Sequence, residues 1–290
     1  MELSVIVPCY NAAETIAVQL EALAQQEWSG SWEIIFVNNN STDGSTQIAM
    51  KYKEDQLPQL RIIDASSRQG QPYALNVGAK AAAGSSLVFC DADDEVGAGW
   101  VAAMGEALRE YDFVACRMDT KKLNPWLRGR QRHSQEYGLQ QIWYPPYLSH
   151  AGGGSLGVKH RLFEKVGGFD ESLPYLHDTD FCFKLQQLGT ELYFVPAALV
   201  HIRYRSTLFR VFRQSRNYAE YNVLLSKRYD ADSPEKNSAK LWLKYLADWW
   251  KVIRRLRALR NKSNCYWWMW LIGRQIGRLH GSVKHWTPPV

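Results

Sequence analysis

Strand and helix patterns alternate through the first 118 residues, and this alternation limits the fold more than any other feature of the chain. Short apolar, β-branched runs are each followed by a helical pattern with apolar residues three or four positions apart. The predicted strands are Leu3–Pro8, Glu33–Val37, Leu60–Ile63, Leu87–Cys90 and Phe113–Cys116, and the predicted helices are Ala12–Gln26, Thr46–Tyr52, Pro72–Ala83 and Gly99–Leu108. Such alternation favours an α/β fold, in which a mostly parallel sheet is covered by helices on both faces.

The turn after the first predicted strand argues against two common nucleotide-binding motifs. Pro8-Cys9-Tyr10-Asn11 stands where a dinucleotide-binding fold carries Gly-x-Gly-x-x-Gly, and the sequence has no P-loop. If a nucleotide binds at this edge of the sheet, the chain must hold it by other groups.

An acidic run, Asp91-Ala92-Asp93-Asp94, follows the apolar segment that ends the fourth predicted strand. Ligands of open α/β sheets bind outside the carboxyl ends of the strands. A carboxylate cluster there is unfavourable in electrostatic free energy unless a cation neutralises it. Oxygen ligands suit Mg²⁺ or Mn²⁺, and such an ion commonly binds substrate phosphates at its remaining positions. The alternative, a solvated acidic turn, describes most acidic tetrapeptides.

The charge of the chain is unevenly distributed. Residues 240–290 hold eleven lysines or arginines and one acid, a net charge of +10, whereas the whole chain carries +6, which leaves −4 for residues 1–239. The same 51 residues contain seven of the twelve tryptophans. We therefore predict a domain of residues 1–230 followed by a basic, tryptophan-rich helical tail of residues 231–290.

The five cysteines are dispersed without a CxxC pair, which argues for a reducing compartment and against a zinc site. The amino terminus lacks the features of a signal peptide, and no stretch of about 18 apolar residues predicts a spanning helix. We expect a cytoplasmic protein.

Several motifs together resemble the inverting family 2 glycosyltransferases, which have the GT-A fold. They are Ser4–Ala12, Val37–Ser45, Asp91–Asp94, Gly167–Glu171 and His177–Asp180, in the order and spacing of that family, and the resemblance covers roughly residues 3 to 225. It implies a nucleotide-sugar half (residues 1–118) and an acceptor half (residues 119–230). It also implies a nucleotide-sugar donor, with a UDP-sugar favoured and GDP- or dTDP-sugars as alternatives.

The resemblance implies a set of donor-binding residues at the sheet edge: Pro8, Tyr10, Asn11, Asn38, Asn40, Arg68, Asn76, Asp91, Ala92 and Asp93. The family usually has an aspartate, facing the nucleobase, where this chain has Asn38. Asn38 can still accept a hydrogen bond but gains two donors. Asn11 can instead cap a helix beginning at Ala12, Asp43 reads as the cap of the next helix, and Arg68 is equally well explained as an exposed loop arginine.

The resemblance also implies the residues that carry the chemistry. Asp93 would bind the divalent ion, Asp91 would lie near the ribose, and His201 is a candidate further metal ligand. Asp178 matches the family's general base; a simple helix-end acid is the alternative. Further candidates are Asp94, a third acid of the run; Asp180, a cap or acceptor contact; and Arg203 and Arg205, which could clamp phosphates.

The acceptor half contains two segments that allow more than one interpretation. Lys121–Tyr147 is rich in aromatic and basic residues, including Trp126, Trp143, Arg128, Arg130 and Arg132. Its aromatic rings either stack on sugars or fill a packed loop. The glycine-rich segment Gly152–Val158 either lets backbone approach a ligand or simply leads into a strand.

The tail predicts an amphipathic helix, because Trp242, Leu246, Trp249, Ile253 and Leu256 recur at 4-3-4-3 spacing among basic residues. Tryptophan with lysine and arginine suits the headgroup region of an anionic membrane. Nucleic acid is the rival partner for such a surface, but no recognised binding motif is present. We expect the tail to meet the inner face of the plasma membrane; packing on protein is the other alternative.

Two functions are compatible with these patterns. The first is a metal-dependent inverting glycosyltransferase that moves a sugar to a hydroxyl of a glycan or lipid-linked acceptor, in cell-surface polysaccharide synthesis. The second is a catalytically silent protein that binds nucleotide-sugar or glycan on the same fold, for which Asn38 is the sequence hint.

Overall fold

The computed structural model describes residues 1–127, 133–229 and 238–290, and these residues form two compact units. The first unit contains residues 1–123, 133–140 and 149–203, and the second contains residues 124–127, 141–148, 204–229 and 238–290. The predicted domain boundary at residues 230–231 lies outside the described residues, as do Arg128, Arg130 and Arg132. Arg203 is the last residue of the first unit, and the following residues belong to the second unit; the predicted domain boundary stays a prediction.

The first unit is built on one mixed sheet. Its strands are β1 (Leu3–Cys9), β2 (Trp32–Asn38), β3 (Leu60–Asp64), β4 (Ser86–Phe89), β5 (Glu95–Val96), β6 (Phe113–Asp119), β9 (Leu156–Lys159) and β10 (Tyr193–His201), and the short strands β7 (Gln140–Gln141) and β8 (Ser149–His150) lie apart from it. The order across the sheet is β3-β2-β1-β4-β9-β6-β10-β5.

Most strand pairs of the sheet are parallel, as the alternation predicts. Strands β1, β2, β3 and β4 pair in parallel, and so do β6 and β10. Strand β9 is antiparallel to both β4 and β6 and separates them. Because β9 runs against β4, the residues just before β9 lie beside the residues that follow β4, namely the acidic run.

Helices α1 (Ile16–Ala24), α2 (Ser45–Asp55), α3 (Gln71–Ala81), α4 (Trp100–Glu110), α5 (His160–Lys165) and α6 (His177–Gln187) belong to the first unit. A buried core joins the sheet to α3, α5 and α6. Its aromatic rings include Phe169 and Phe181, whose centroids are 4.6 Å apart. This packing fixes α6, and therefore its first residues, against the sheet.

The predicted start of the first helix is wrong. Asn11 does not cap a helix at Ala12, because it has the left-handed φ of 49° and its Oδ1 accepts a hydrogen bond from the Thr42 amide at 2.8 Å. Helix α1 begins at Ile16, after a turn in which the Ile16 amide donates to Ala12. Asn11 thus joins two loops instead of ending one helix.

The second unit contains three long helices, α7 (Leu208–Tyr229), α8 (Ser238–Arg255) and α9 (Lys262–His285), which confirm the helical carboxyl-terminal region. Helices α7 and α9 approach closely, because Gly273, Gly277 and Gly281 of α9 face the α7 backbone. The carboxylate of Glu220 accepts from His280 at 2.8 Å and Lys284 at 2.7 Å and ties the same two helices.

Helix α8 packs on α9 through one narrow face of Tyr245, Asp248 and Val252. The Asp248 carboxylate accepts from the buried Arg278 guanidinium at 2.9 Å. A second face of α8 is apolar and exposed; it includes Leu243, Leu246, Trp250 and Ile253. Of the predicted stripe, Trp242, Leu246, Ile253 and Leu256 are exposed, whereas Trp249 is half-buried. Among the described helices, none has the length and apolar composition needed to cross a membrane.

Candidate functional site

The predicted motifs converge at the carboxyl edge of the parallel strands. Cys9, the last residue of β1, is in register with Asn38, the last residue of β2. Strand β4 ends at Phe89, and only Cys90 separates it from the acidic run. The loops that follow these three strands therefore share one edge of the sheet, as expected for a ligand site of an open α/β sheet.

The loops after β1 and β2 are joined by hydrogen bonds. The amide of Asn11 donates to Ser41 Oγ at 3.1 Å, and Asp43 Oδ2 accepts from the Ala13 amide at 2.9 Å. Asp43 also accepts from the Ser45 amide at the start of α2, and these hydrogen bonds outweigh the raising effect of burial and lower the pKa of Asp43. The N-cap of α2 is Gly44 and not the predicted Asp43; Asp43 precedes the cap and links the two loops.

The amide oxygen of Asn38 accepts from the Ser41 backbone amide at 3.0 Å. The side chain that the resemblance assigns to the nucleobase thus stabilises its own loop through its amide oxygen. Asn40 is exposed and has a φ of 64°, Tyr10 is 52% exposed, and Pro8 is buried within β1.

The sequence reasoning missed Asn39, which is buried. Its Nδ2 donates to the carbonyl oxygens of Ala65 and Arg68 at 2.6 and 2.8 Å, and its Oδ1 accepts from the Gly70 amide at 2.8 Å. One side chain therefore fixes the course of the loop between β3 and α3. The signal was the run of three asparagines, in which the middle one points inward.

The acidic run forms a compact carboxylate group. Asp91, Asp93 and Asp94 each offer an oxygen within 4.8 Å of the others, and only Asp94 is buried. Asp91 Oδ1 accepts from Gln71 Nε2 at 2.8 Å, and Asp94 Oδ1 accepts from the Arg203 amide at 2.8 Å. Ala92 is buried between the acids and its carbonyl accepts from Thr15 Oγ1. Clustered hard oxygen atoms at a partly open edge fit a divalent cation such as Mn²⁺ or Mg²⁺.

Arg203 lies against this group. Its Nε donates to the Asp93 carbonyl at 3.0 Å while its backbone amide is held by Asp94. The Arg203 guanidinium is therefore held beside the candidate metal site. Its contact with a phosphate stays a prediction. Arg205 is exposed and belongs to the second unit.

His201, the last residue of β10, lies next to Glu95 across the β5–β10 pair. Its Nδ1 is 3.2 Å from Asp119 Oδ2, and the hydrogen bond from His201 offsets the effect of burial and lowers the pKa of Asp119. A carboxylate on one imidazole nitrogen is the usual support for a histidine that binds metal through the other. Among the described residues, however, the clustered ligand atoms do not include His201, so its role as a ligand stays a prediction.

Two residues that are predicted to bind the nucleotide-sugar, Asn76 and Arg68, have hydrogen-bond or ion-pair partners within the protein. Asn76 accepts from the Phe169 amide at 2.9 Å and donates to the Phe169 carbonyl and to Glu171 Oε1. Arg68 Nη1 forms an ion pair with Glu171 Oε2 at 2.7 Å. Asn76 thus fixes the Gly168–Glu171 loop through both atoms of its amide group, and its role in donor binding stays a prediction. Arg68 is bound to the same loop.

Asp178 is held at the amino-terminal end of α6. Its Oδ1 accepts from the Thr179 amide and its Oδ2 from the Gly153 amide, each at 2.8 Å. The preceding Leu176 has a left-handed φ of 57°, a strained conformation for a γ-branched residue and one that is enriched at functional sites. The carboxylate is therefore oriented by backbone donors from two elements.

The buried His177 and the half-buried His150 lie near Asp178. Burial lowers the pKa of His150 and of His177, although the Asp178 charge acts in the opposite direction on both. Asp180, in contrast, is fully buried and pairs with Lys184 at 2.8 Å. The ion pair links two residues of α6 one turn apart, and an acceptor contact of Asp180 stays a prediction.

The aromatic segment between β6 and β8 is largely packed in the second unit. Trp126 meets Tyr266 edge-on at 5.2 Å, and Tyr144 Oη hydrogen bonds with Asn222 Oδ1 at 2.6 Å. The Arg274 guanidinium lies 5.2 Å from the ring centroid of Trp143, which is 45% exposed. The packed-loop interpretation therefore applies to Trp126 and Tyr144, and Trp143 keeps an open surface.

Comparison with known proteins identifies the family. The sequence model of glycosyl transferase family 2 matches residues 4–167, more than half of the chain. The chain belongs to this family. An uncharacterized glycosyltransferase of Rickettsia prowazekii, RP339, is 30% identical over 208 residues, covering 69% of this chain and 63% of that protein. The chain thus spans less than two thirds of this relative's length.

Solved structures of glycosyltransferases are similar to the whole chain. Mannosyltransferase PcManGT from Pyrobaculum calidifontis, in complex with GDP-Man and Mn²⁺, has a TM-score of 0.62 and 18% identity over 96% of this chain and 87% of that one. S. aureus TarS 1–349, in complex with UDP-GlcNAc, has a TM-score of 0.56 and 17% identity over 99% of this chain and 93% of that one. These similarities confirm the expected GT-A fold.

Proposed function

We propose that this family 2 member is an inverting glycosyltransferase that uses a nucleotide-sugar donor and a divalent cation. One observation carries the proposal: the turn Gly152–Gly154 lies against both Asp178 and Asp91. Asp91 in turn belongs to the carboxylate cluster with Asp93 and Asp94. A site for a diphosphate and a site for a proton acceptor are the two parts that direct displacement at a sugar carbon requires.

Asp93 is the proposed metal ligand, supported by the carboxylate cluster and by the fold shared with PcManGT in complex with Mn²⁺. When bound, the cation supplies charge neutralisation for the departing diphosphate. Asp91 is the proposed contact to the ribose and Arg203 the proposed contact to the phosphates of the donor, supported by the hydrogen bond from Arg203 Nε to the Asp93 carbonyl. His201 remains a candidate further ligand, supported by its carboxylate partner Asp119.

Asp178 is the proposed general base. Inversion needs a group that takes the proton from the acceptor hydroxyl as that oxygen attacks from the face opposite the leaving diphosphate. Both oxygens of Asp178 accept hydrogen bonds from backbone amides, which fixes the orientation of the carboxylate. The neighbouring Asp180 forms an ion pair with Lys184.

We propose a UDP- or GDP-sugar as donor, because TarS and PcManGT were solved with UDP-GlcNAc and GDP-Man. The acceptor is proposed to be a hydroxyl of a glycan or a lipid-linked sugar in cell-surface polysaccharide synthesis. The proposed location is the inner face of the plasma membrane, supported by the exposed apolar stripe of α8 and the +10 charge of residues 240–290.

A panel of UDP-, GDP- and dTDP-sugars tests the proposal. Thermal unfolding with and without Mn²⁺ should identify a donor whose stabilisation requires the cation. That donor, incubated with membrane glycolipid or glycan acceptors, should then release nucleoside diphosphate. Cation-dependent binding without transfer to any acceptor would favour the silent binding protein, and the absence of any stabilising nucleotide would contradict both functions.

A further inference from the structure

The segment Gly152–Gly154 touches the two parts of the proposed site that act on different substrates. On one side the Gly153 amide donates to Asp178 Oδ2 at 2.8 Å. On the other side, a Cβ atom built on Gly154 would lie 2.9 Å from Asp91 Oδ2 and 3.1 Å from its Cγ. Gly153 thus lies against Asp178, the candidate base, and Gly154 lies against Asp91, a candidate contact of the nucleotide-sugar donor.

The sheet topology explains this contact. Strand β9 begins at Leu156 and runs antiparallel to β4, with Gly157 opposite Val88. The residues before β9 form a short turn, Gly153–Ser155, and this turn therefore lies beside the acidic run that leaves β4. Helix α6 brings Asp178 to the other side of the same turn.

The turn is fixed from within the protein. Gln135 is fully buried; its Nε2 donates to Ser155 Oγ at 2.6 Å and to the Cys116 carbonyl at 2.8 Å, and its Oε1 accepts from the Gly152 amide at 2.9 Å. A buried amide with these partners leaves the turn little freedom to move away from a new side chain.

Asp91 also has little freedom to move. Gln71 Nε2 holds Asp91 Oδ1 at 2.8 Å, so the carboxylate lies between Gln71 and the Gly154 backbone. A methyl group at Gly154 would collide with it, since real Cβ atoms essentially never lie closer than 3.0 Å to another heavy atom.

We propose that the Gly152–Gly154 turn is a positioning element that sets the place of Asp178 relative to Asp91, with Gly153 orienting the base through its amide and Gly154 providing the space that Asp91 requires. This inference rests on the proposed function, because it assigns Asp91 to the donor and Asp178 to the acceptor. Its consequence is that a methyl group on Gly154 disturbs donor binding by displacing the Asp91 carboxylate.

Gly153→Ala is the matched control for Gly154→Ala. Neither glycine has a positive φ, so alanine strains the backbone at neither position. Both substitutions also reduce the conformational entropy of the unfolded chain by a similar amount. A Cβ on Gly153 would meet Asp178 Cβ at 3.5 Å, an ordinary contact, and alanine keeps the amide that binds Asp178. The two variants therefore differ mainly in the collision with Asp91.

The test combines donor affinity with a double-mutant cycle. In calorimetric titrations with UDP or GDP and Mn²⁺, we expect Gly154→Ala to weaken affinity at least tenfold and Gly153→Ala to stay within threefold of wild type. In thermal unfolding without nucleotide, Gly154→Ala should lower Tm, and Asp91→Ala should relieve most of that loss, because it removes the colliding carboxylate. If Gly154→Ala alone does not fold, the inference can still be tested, because the double variant with Asp91→Ala should then fold.

Wild-type affinity in Gly154→Ala, or a Tm loss that persists unchanged beside Asp91→Ala, would overturn the inference while leaving the proposed function intact. If the wild-type protein bound neither nucleotide with Mn²⁺, the proposed function and the donor role of Asp91 would both fall. The unfolding cycle would still report whether Gly154 and Asp91 collide, so the two failures are distinguishable.

Discussion

At the scale of single residues, the acidic run and Asp178 are the groups whose chemistry can be tested most directly. Asp93→Ala should abolish Mn²⁺-supported binding of UDP or GDP, because it removes one of three clustered carboxylates. The fold should survive, since Asp93 is partly exposed at a strand end. Calorimetry with and without Mn²⁺ measures this, and Asp55→Ala, at the exposed end of α2, is the control. Unchanged cation-dependent affinity in Asp93→Ala would contradict the assignment.

Asp178→Asn tests the base. The amide cannot take a proton, so turnover should fall by about 10²–10⁴-fold, while donor affinity should change little. Both oxygens of Asp178 accept from backbone amides, so an asparagine must turn its NH₂ group toward one of these donors. Single-turnover rates with a verified acceptor measure the loss. Near-normal turnover would move the role away from Asp178.

Motifs predicted where the site lies better than they predicted what each residue does there. The carboxyl ends of parallel strands must share an edge, so Asn11, Asn38 and Asp91 were correctly brought together. The partners were not predictable, because they come from loops distant in sequence. Asn39 reaches Gly70, and Gln71 reaches Asp91. Side chains with several donors and acceptors, such as these amides, fit many partners equally well until the fold selects one.

At the scale of elements, the hydrogen bonds of Glu33 on β2 predict a pH dependence of stability. This buried carboxylate accepts from Ser4 Oγ, the Ala83 amide and Arg61, each at 2.7 Å. Burial raises the pKa of Glu33, but these hydrogen bonds outweigh it, and the net pKa lies below 4.5. The stability contributed by the ionised group is therefore fully present above about pH 4.5 and is lost as pH falls through the lowered pKa.

Glu33→Gln should reduce the free energy of unfolding at pH 7 by about 1 kcal/mol, because glutamine can keep Oε1 for Ser4 and Ala83 but the half-exposed Arg61 loses its carboxylate acceptor. The difference from wild type should shrink below pH 4.5 as Glu33 itself becomes protonated. Urea unfolding between pH 3 and pH 7 measures both effects. A difference that is constant across this range would show that the charge of Glu33 does not contribute.

The elements themselves were predictable to different degrees. Strong local patterns gave β1, β2, β3, β4 and β6 at nearly their observed positions. The start of α1 was misplaced because a distant loop, through Thr42, captured the residue that would have capped it. The antiparallel insertion of β9 could not be read from its four residues, since pairing direction depends on how the chain returns to the sheet.

At the scale of the whole molecule, the charge contrast along the chain predicts binding to anionic membranes. Residues 240–290 carry +10 while residues 1–239 carry −4, and α8 exposes Leu243, Leu246, Trp250 and Ile253. Its basic residues Lys244, Lys251 and Arg255 are separate from that stripe in helical position. Apolar burial and attraction to anionic lipid should act together, the latter contributing about 1 kcal/mol per basic residue near the surface.

Co-sedimentation of the full-length protein with liposomes tests this prediction. We expect binding to anionic vesicles that weakens as salt rises, and weaker binding to neutral vesicles. The double variant Trp250→Glu/Ile253→Glu should lose most of the binding. Ala247→Glu together with Lys244→Ala is the charge-matched control, because it also lowers the net charge by two but leaves the apolar stripe intact. If the control fell as far as the stripe variant, binding would be electrostatic alone. If the wild-type protein ignored both kinds of vesicle, the stripe would be a surface for packing on protein.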